Sequence, residues 1–443
     1  MLLNPLSRKV RMHQDVPVIP GAFPAIGHLP AIVFDLPKLL DYGSQRFGSH
    51  FWINLGSFDR ALVCTQSDAF DLFKNKDATS AVWREYFPAF GTGMIGQDGE
   101  VHRSLRSHNN APFLPPGLSA AKVGELFAGL IEQRINAWVG QRDLRIVQEV
   151  RELMLILLFR LMGIEEAEHR EWEKNLREYA FTGGLAGIGF AGMRLQLAHR
   201  SRAWLDMKLR KLVGSVRSRP DASGVLASLV RSFDNGDGTL TENHLLDNLR
   251  LVVPASHDST AATMVQVVLQ LAQRPEVWDA LCAEARAAGE VPRNFNELAR
   301  FPYAEAVFRE TLRCHPVFPL SLRRTLTDTQ LGGRTVEAGS VTVIPTILLS
   351  GHPDLFPQPE TFLLDRWLGR TEGIKPIELL QFGAGPHRCP GYHLAWMTVV
   401  QFSVALALVM SAKRLRPRLT APLGRGIYFP VTYPSFKTRV VFE

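Results

Sequence analysis

The sequence predicts one mainly α-helical domain with a small β lobe. Three observations predict it. Long stretches carry apolar residues at helical spacing, notably Leu118–Gly163, Glu242–Arg274 and Tyr392–Met410. Strand-like runs are short and confined to Phe51–Leu55, Ala61–Cys64 and the region beyond residue 320. No stretch has the composition of a linker. A chain of 443 residues, long enough for about three average domains, therefore reads as one body over 20–443 behind an N-terminal extension, 1–19.

Composition narrows the class. Hydrophobic residues make up 46% and charged residues 21%, which excludes a disordered chain, a collagen-like repeat and a disulfide-built mini-protein. A chain this long buries enough surface to enclose a large apolar ligand. The formal charge of +7 is scattered, as in Arg194–Arg219 and Lys413–Arg418. Nucleic-acid binding would need a basic stripe interleaved with aromatics, and none is present. An acidic protein partner suits the scattered charge better. Cys64, Cys282, Cys314 and Cys389 form no C-x-x-C pair, which argues against a zinc ribbon and a disulfide framework and points to a reducing cytosol.

In chain order, Leu2 and Leu3 are followed by Asn4 and Pro5, too short an apolar run for a secretory signal. Pro17, Pro20, Pro24 and Pro30 make Val16–Pro30 a stiff, extended lead-in. Two strands follow around the turn at Gly56–Ser57. Helix is expected over Leu118–Gly163 and Glu165–Tyr179. Five glycines in 183–192, among Leu185, Ile188 and Phe190, read as a mobile apolar segment. A charged helix then runs to Arg219, where Pro220 stops it. After a turn at Asn235–Gly238 come helices Glu242–Arg274 and Glu276–Ala288. The last helix, 392–410, is long and apolar, but His393, Thr398, Gln401 and Ser403 interrupt it. It reads as a buried helix, and no transmembrane anchor is expected.

One motif is a decoy. Gly187-Ile-Gly-Phe-Ala-Gly192 satisfies G-x-G-x-x-G, but a dinucleotide site needs a preceding strand and an acid closing the next one. Only Tyr179–Thr182 could be that strand, and Asp206 sits in a helical pattern.

The chemistry concentrates at 382–391, F-G-A-G-P-H-R-C-P-G. Its glycines let loop N–H groups approach a thiolate, and His387 and Arg388 add positive character that favours one. Nucleophilic catalysis by Cys389 would need a positioned base, and zinc would need further ligands. A haem iron, already held by four porphyrin nitrogens, needs only one.

This loop resembles the signature of the cytochrome P-450 superfamily, F-x-x-G-x-x-x-C-x-G, at Phe382, Gly385, Cys389 and Gly391. Composition alone would produce roughly 0.0015 matches per chain. Other marks of the family follow in order. Glu310-Thr-Leu-Arg313 with Pro316 resembles its E-x-x-R helix, which in the family is buried with a downstream arginine, here Arg366. His102 and Arg106, at i and i+4 on one helix face, match positions that bind haem propionates, as do Arg323 and His387. Pro254-Ala-Ser-His-Asp-Ser-Thr260 resembles the oxygen-activation segment, with Ala255 against the haem, Asp258 in the acid position and Ser259 in the alcohol position. An acid beside an alcohol can relay protons. Two departures stand out: Ser256 replaces a glycine that opens the helix, and Ser259 lacks the methyl of threonine. Pro254 is expected to compensate by kinking the helix.

The resemblance covers nearly the whole chain and implies a triangular helical prism enclosing haem b, with Cys389 as axial thiolate and metal ligand. It implies a monomeric, cytoplasmic monooxygenase that inserts one atom of O2 into a hydrophobic small molecule, by hydroxylation or epoxidation. The stretch after Cys389 is too short for a flavin or nicotinamide domain, so electrons are expected from a ferredoxin or flavodoxin-type donor with its reductase. Phe87, Phe90, Met94, Val317, Phe318 and Leu320 are candidate pocket residues, with 183–192 as the lid. All are apolar, which suits a polyketide, terpenoid or fatty acyl chain. A peroxide-dependent or rearranging family member and a haem-based sensor are the competing readings.

Overall fold

A computed structural model describes residues 16–55, 60–86, 91–186, 193–236, 238–370, 372–428 and 431–443. Its buried apolar residues fall into two clusters, one under the β lobe and a larger one through the helical body. Helices α1 (Leu29–Phe34) and α2 (Leu36–Phe47) lead into strands β1 (His50–Asn54) and β2 (Arg60–Cys64). These pair antiparallel, Phe51 opposite Val63 and Ile53 opposite Ala61. Successive strand residues point to opposite faces. Phe51, Ile53, Ala61 and Val63 therefore meet Leu36 and Leu40 in the lobe's cluster, while Trp52 and Leu62 join the helical core.

The sheet is completed by β3 (Ala78–Thr79) and β4 (Ser321–Thr325); beyond the hairpin β5 (Thr329–Leu331) with β6 (Arg334–Val336) comes β7 (Val341–Ile344). Its order is β1-β2-β7-β4-β3, with the β2–β7 pair parallel. Pairing also reaches into the stretch read as an N-terminal extension. The Trp52 N–H donates to the Pro17 carbonyl at 2.8 Å, and the Ile19 N–H donates to that of Trp52 at 3.0 Å. Residues 16–19 thus belong with the sheet, because backbone pairing to β1 needs no special side chain that sequence would show.

In the helical body, α3 (Val82–Tyr86), α4 (Gly99–Asn110) and α5 (Pro115–Ala120) precede α6 (Val123–Asn136) and α7 (Ile146–Leu161). Helices α8 (His169–Ala186) and α9 (Met193–Arg217) pack against each other, and α10 (Val225–Asp234) follows. Helix α8 runs seven residues past its expected end, through Gly183 and Gly184 to Ala186. The first part of the segment read as mobile is therefore helical: glycine costs only about 1 kcal/mol each in a helix, which packing on α9 overrides. Tyr179–Thr182 is helix too, so the dinucleotide motif has no strand before it; residues 187–192 lie outside the described residues.

The long helix α11 (Glu242–Gln273) starts where the His244 ring accepts from the Thr241 N–H at 3.0 Å. It continues through Pro254 as one uninterrupted helix, so the expected kink does not break it. Pro254, lacking an N–H, cannot make the bond to the Arg250 carbonyl. Next are α12 (Pro275–Ala288), begun by a proline and closed by Gly289 at φ +79°, α13 (Phe295–Leu298), α14 (Pro302–Cys314) and α15 (Thr346–Ser350). The last helix, α16 (Tyr392–Ala412), packs on α6, α11, α12 and α14, and β8 (Pro417–Leu419) pairs with β9 (Val440–Phe442) at the C-terminal end.

Among the described residues, α16 alone is long and apolar enough to cross a membrane, and most of it is buried in the protein. Its polar interruptions are satisfied internally. Thr398 and Ser403 bond back to the carbonyls of Leu394 and Val399, while Gln401 donates to the carbonyls of Gly124 and Pro292 at 2.8 Å each.

Beneath this helix layer, the Glu310 carboxylate is fully buried. Arg313 engages both of its oxygens, at 2.7 and 2.9 Å. Arg366 approaches at 3.4 Å, and the Trp367 indole N–H and Leu363 backbone N–H each donate at 2.8 Å. Arg313 also donates to the carbonyls of Ser350, Pro359 and Thr361. Glu310→Ala leaves two arginines buried without their anion and should cost about 3–5 kcal/mol. Denaturant unfolding checks this: an unchanged midpoint would show that the network does not hold the fold.

Candidate functional site

The loop before α16 is built by its own backbone. The Cys389 N–H donates to the Phe382 carbonyl at 2.7 Å, closing the turn. Gly385 stands at φ +63°, and a Cβ there would lie 2.8 Å from the Phe73 carbonyl oxygen, so only glycine fits. The Phe382 ring meets Tyr392 edge-on at 4.9 Å, anchoring the start of the loop to the helix at its end. Upstream, the Gln381 side chain donates to the Leu312 carbonyl and the Ser350 hydroxyl, which ties the loop to the Glu310–Arg313 layer.

Burial pushes the Cys389 thiol up. The Gly391 N–H, Arg106 and Arg388 act the other way but do not overcome it. Burial thus outweighs the positive character expected to favour the thiolate, and His387 is not among the groups supplying it. A thiol of this kind gives up its proton when a metal cation takes its place.

Beside the loop gather four cationic or imidazole groups from three parts of the chain. His102 and Arg106 come from one face of α4, Arg323 from β4 and His387 from the loop itself. Alternation along β4 sends Leu322 into the lobe's core and Arg323 to the opposite face, over the Phe73 ring at 5.1 Å. His102 and His387 stack with ring centres 4.0 Å apart.

Their hydrogen bonding is incomplete. His387 is engaged, facing Asp98 at 2.9 Å and the Ser80 hydroxyl at 3.2 Å. Burial pushes the Asp98 carboxyl up, but His387, Thr79 and Ser80 together hold it well below the usual carboxylate range. His102 is 2% exposed and its Nε2 has no partner among the described residues. Burial, then the charges of His387 and Arg106, push its pKa down to about 4. Arg323 is pushed down to about 10 by burial, with Asp98 the opposing influence. Its Nη1 donates to the Leu322 carbonyl at 2.8 Å. Arg106 is lowered by burial as well, and donates to the Arg388 carbonyl at 2.6 Å.

Among the described residues, the two desolvated guanidinium groups beside the half-buried Cys389 thiol lack a paired anion, and the His102 imidazole lacks a hydrogen-bond partner. The two propionates of a haem would supply the anions and its iron the cation that a Cys389 thiolate needs, so the residues present fit that group.

The second half of the predicted site lies on α11, which packs on α16. Ala255 is exposed, although the turns from Thr260 onward are mostly buried. The Ser259 hydroxyl donates to the Ala255 carbonyl at 2.7 Å, so its proton is committed while its lone pairs stay available. Asp258 forms an ion pair with Arg151 of α7 and accepts from the Tyr433 hydroxyl at 3.1 Å. Burial raises its carboxyl, but His257, Arg151 and Tyr433 outweigh it and the net shift is downward.

Of the candidate pocket residues, Phe87 and Phe90 lie outside the described residues. Met94 is half-buried, its N–H donating to Asn248 at the start of α11 at 3.0 Å, beside Thr92, which donates twice to Asp247. Val317 and Leu320 are buried, whereas Phe318 is 37% exposed. Sequence reasoning missed Arg151, Tyr433, Asp98 and Trp367. Only Trp367, next to Arg366, and Asp98, ahead of His102, had any nearby signal.

Comparison with known proteins agrees with this geometry. The family model of cytochrome P-450 matches residues 196–417. The chain is 42% identical over 445 residues, covering 100% of both chains, to the cytochrome P-450 BJ-4 homolog of Sinorhizobium fredii. It is 28% identical over 416 residues to the cyclooctat-9-en-7-ol 5-monooxygenase of Streptomyces melanosporofaciens, covering 90% of this chain and 89% of that one. Among solved structures, retinoic acid bound cyanobacterial CYP120A1 shares the fold with TM-score 0.82 at 20% identity, over 97% of this chain and 99% of its own. The chain belongs to the cytochrome P-450 family. It is a monooxygenase-class oxidoreductase of a family that carries haem.

Arg323→Leu separates the two states of this site. Removing a buried cation that lacks an anion should raise the unfolding midpoint of the haem-free chain. It should also weaken haem retention roughly 10- to 100-fold, the worth of one charge-assisted bond. Haem transfer to an acceptor globin measures the second effect; unaltered retention would remove Arg323 from the site.

Proposed function

We propose that this protein is a haem-thiolate monooxygenase with Cys389 as the axial ligand of haem b. The observation that carries the reading is the set of His102, Arg106 and Arg323, desolvated around the half-buried Cys389 thiol and short of partners among the described residues. His102, Arg106 and Arg323 would hold the propionates, with His387 ordering His102 by stacking and Ala255 and Phe382 flanking the ring. Haem, when bound, supplies dioxygen activation and insertion of one oxygen atom into a C–H or C=C bond. Asp258 and Ser259 deliver protons. Ser259 keeps lone pairs free to accept, and Asp258, held as a carboxylate, takes up a proton and hands it on.

The substrate is a hydrophobic small molecule of secondary metabolism, such as a terpenoid, polyketide or fatty acyl chain. Apolar Met94, Val317 and Leu320 support this, as does likeness to a relative named for a monooxygenase acting on cyclooctat-9-en-7-ol. Electrons come from a ferredoxin or flavodoxin-type protein with its reductase, attracted by the basic excess. The protein works as a cytoplasmic monomer, and residues 20–443, with the paired residues 16–19, form its single haem domain.

The reduced protein under carbon monoxide should show the red-shifted band of thiolate-ligated haem, and Cys389→Ser should lose it. Absence of the band in the unaltered protein would end the reading. Ser259→Ala should release several-fold more peroxide per dioxygen consumed; unchanged release would take Ser259 out of proton delivery.

A further inference from the structure

Asp258 is held from three directions at one oxygen. Arg151 Nη1 from α7, His257 Nδ1 from its own helix at 3.2 Å and the Tyr433 hydroxyl from the segment between β8 and β9 at 3.1 Å all meet Oδ1. No hydrogen bond from the described residues reaches Oδ2. The Tyr433 hydroxyl also lies 2.9 Å from the backbone carbonyl oxygen of Asp258. A phenol has one proton, so it cannot donate fully to both acceptors at once.

We propose that Tyr433 is a positioning residue for Asp258, holding Oδ1 of the ionised carboxyl so that Oδ2 is the oxygen that takes up the proton. This rests on the reading of Asp258 as the relay acid. While Asp258 is ionised, the phenol donates to Oδ1. When a proton arrives at Oδ2 and the charge is lost, the phenol turns its own proton to the Asp258 carbonyl. Oδ1 then keeps the Arg151 bond and the carboxyl does not rotate. No proton is gained or lost by Tyr433 in the exchange.

The surroundings suit that role. Tyr433 is buried, and its backbone pairs with Ile427 in both directions, at 2.7 and 2.8 Å, which fixes the ring's height above α11. The Arg151 guanidinium lies over the Tyr433 ring at 5.3 Å and over Phe436 at 5.7 Å. Burial and the Asp258 charge raise the phenol well above its ordinary range, so it stays a donor. His257 is itself braced, its Nε2 lying 2.9 Å from the Arg151 carbonyl. Arg151 by itself stabilises only the ionised acid; the phenol, with two acceptors in reach, is the partner that adapts.

Infrared difference spectra of the haem-loaded protein at pH 7 read the contact directly. Subtracting Asp258→Asn isolates the Asp258 carboxylate bands, and Tyr433→Phe should shift them because the most adaptable donor to Oδ1 is gone. Tyr433→Phe should also slow dioxygen consumption roughly three- to tenfold, the worth of one hydrogen bond, and enlarge its solvent deuterium isotope effect. A surrogate ferredoxin and its reductase supply the electrons. Carboxylate bands identical with and without the phenol would overturn the proposal. Bands that shift while Asp258→Asn leaves rate and isotope effect unchanged would instead remove Asp258 as relay and leave the contact standing. Should Tyr433→Phe fail to fold, ring-labelled tyrosine reports the same bond from the other side. Asp258→Asn must then move one of the seven tyrosine C–O bands, and none moving is the refuting result.

Discussion

A carboxylate with no solvent contact must be surrounded by donors, and Glu310 is surrounded completely. Because Arg313, Arg366, Trp367 and Leu363 all converge on it, α14 and the segment 358–367 are locked together. Arg313 passes the constraint to Ser350 at the end of α15, and Gln381 carries it from there to the base of the cysteine loop. The loop's geometry at Cys389 is therefore inherited from an ionic knot in the layer below. Ion pairs of this kind contribute little net stability but tolerate few alternative arrangements, which suits a loop that must present one sulfur.

Above that layer the balance is reversed. Around Cys389 the chain assembles positive and imidazole groups without enough negative ones. Burial opposes charge on the thiol, on Arg323 and on His102 alike. The folded protein is electrostatically incomplete there, and an anionic, iron-bearing cofactor relieves all of these costs together. Asp98, the carboxylate within reach, is already spent on Thr79, Ser80 and His387. Its effect is to stand His387 against His102, so it shapes the site without neutralising it.

Helix α11 combines two demands that usually conflict. It is a long buried strut, yet it carries Pro254, Ser256, Asp258 and Ser259 in its middle. Side chains and a neighbouring segment add bonds to carbonyls of the same stretch. Ser259 and Thr263 bond back to carbonyls one turn earlier, and Tyr433 reaches across to the Asp258 carbonyl. The helix stays continuous, and its polar turn is braced by Arg151 of α7 and by Tyr433 from the segment between β8 and β9.

The helices, the short strands, the cysteine loop and the E-x-x-R helix were legible in the sequence, because periodicity and fixed spacing are local properties. So were His102 with Arg106, one turn apart on a helix face. What could not be read were relations between distant residues. Pairing of 16–19 with β1, the helical state of Gly183 and Gly184, and the continuity of α11 through Pro254 all depend on what packs alongside. Tyr433 meets Asp258 across 175 residues, with no motif to announce it. The sequence by itself determined which groups the protein owns and the family it belongs to. Only the tertiary structure decided which of them are desolvated, which are paired and which are left waiting for a partner, since burial and Coulomb interactions depend on distance in space and not along the chain.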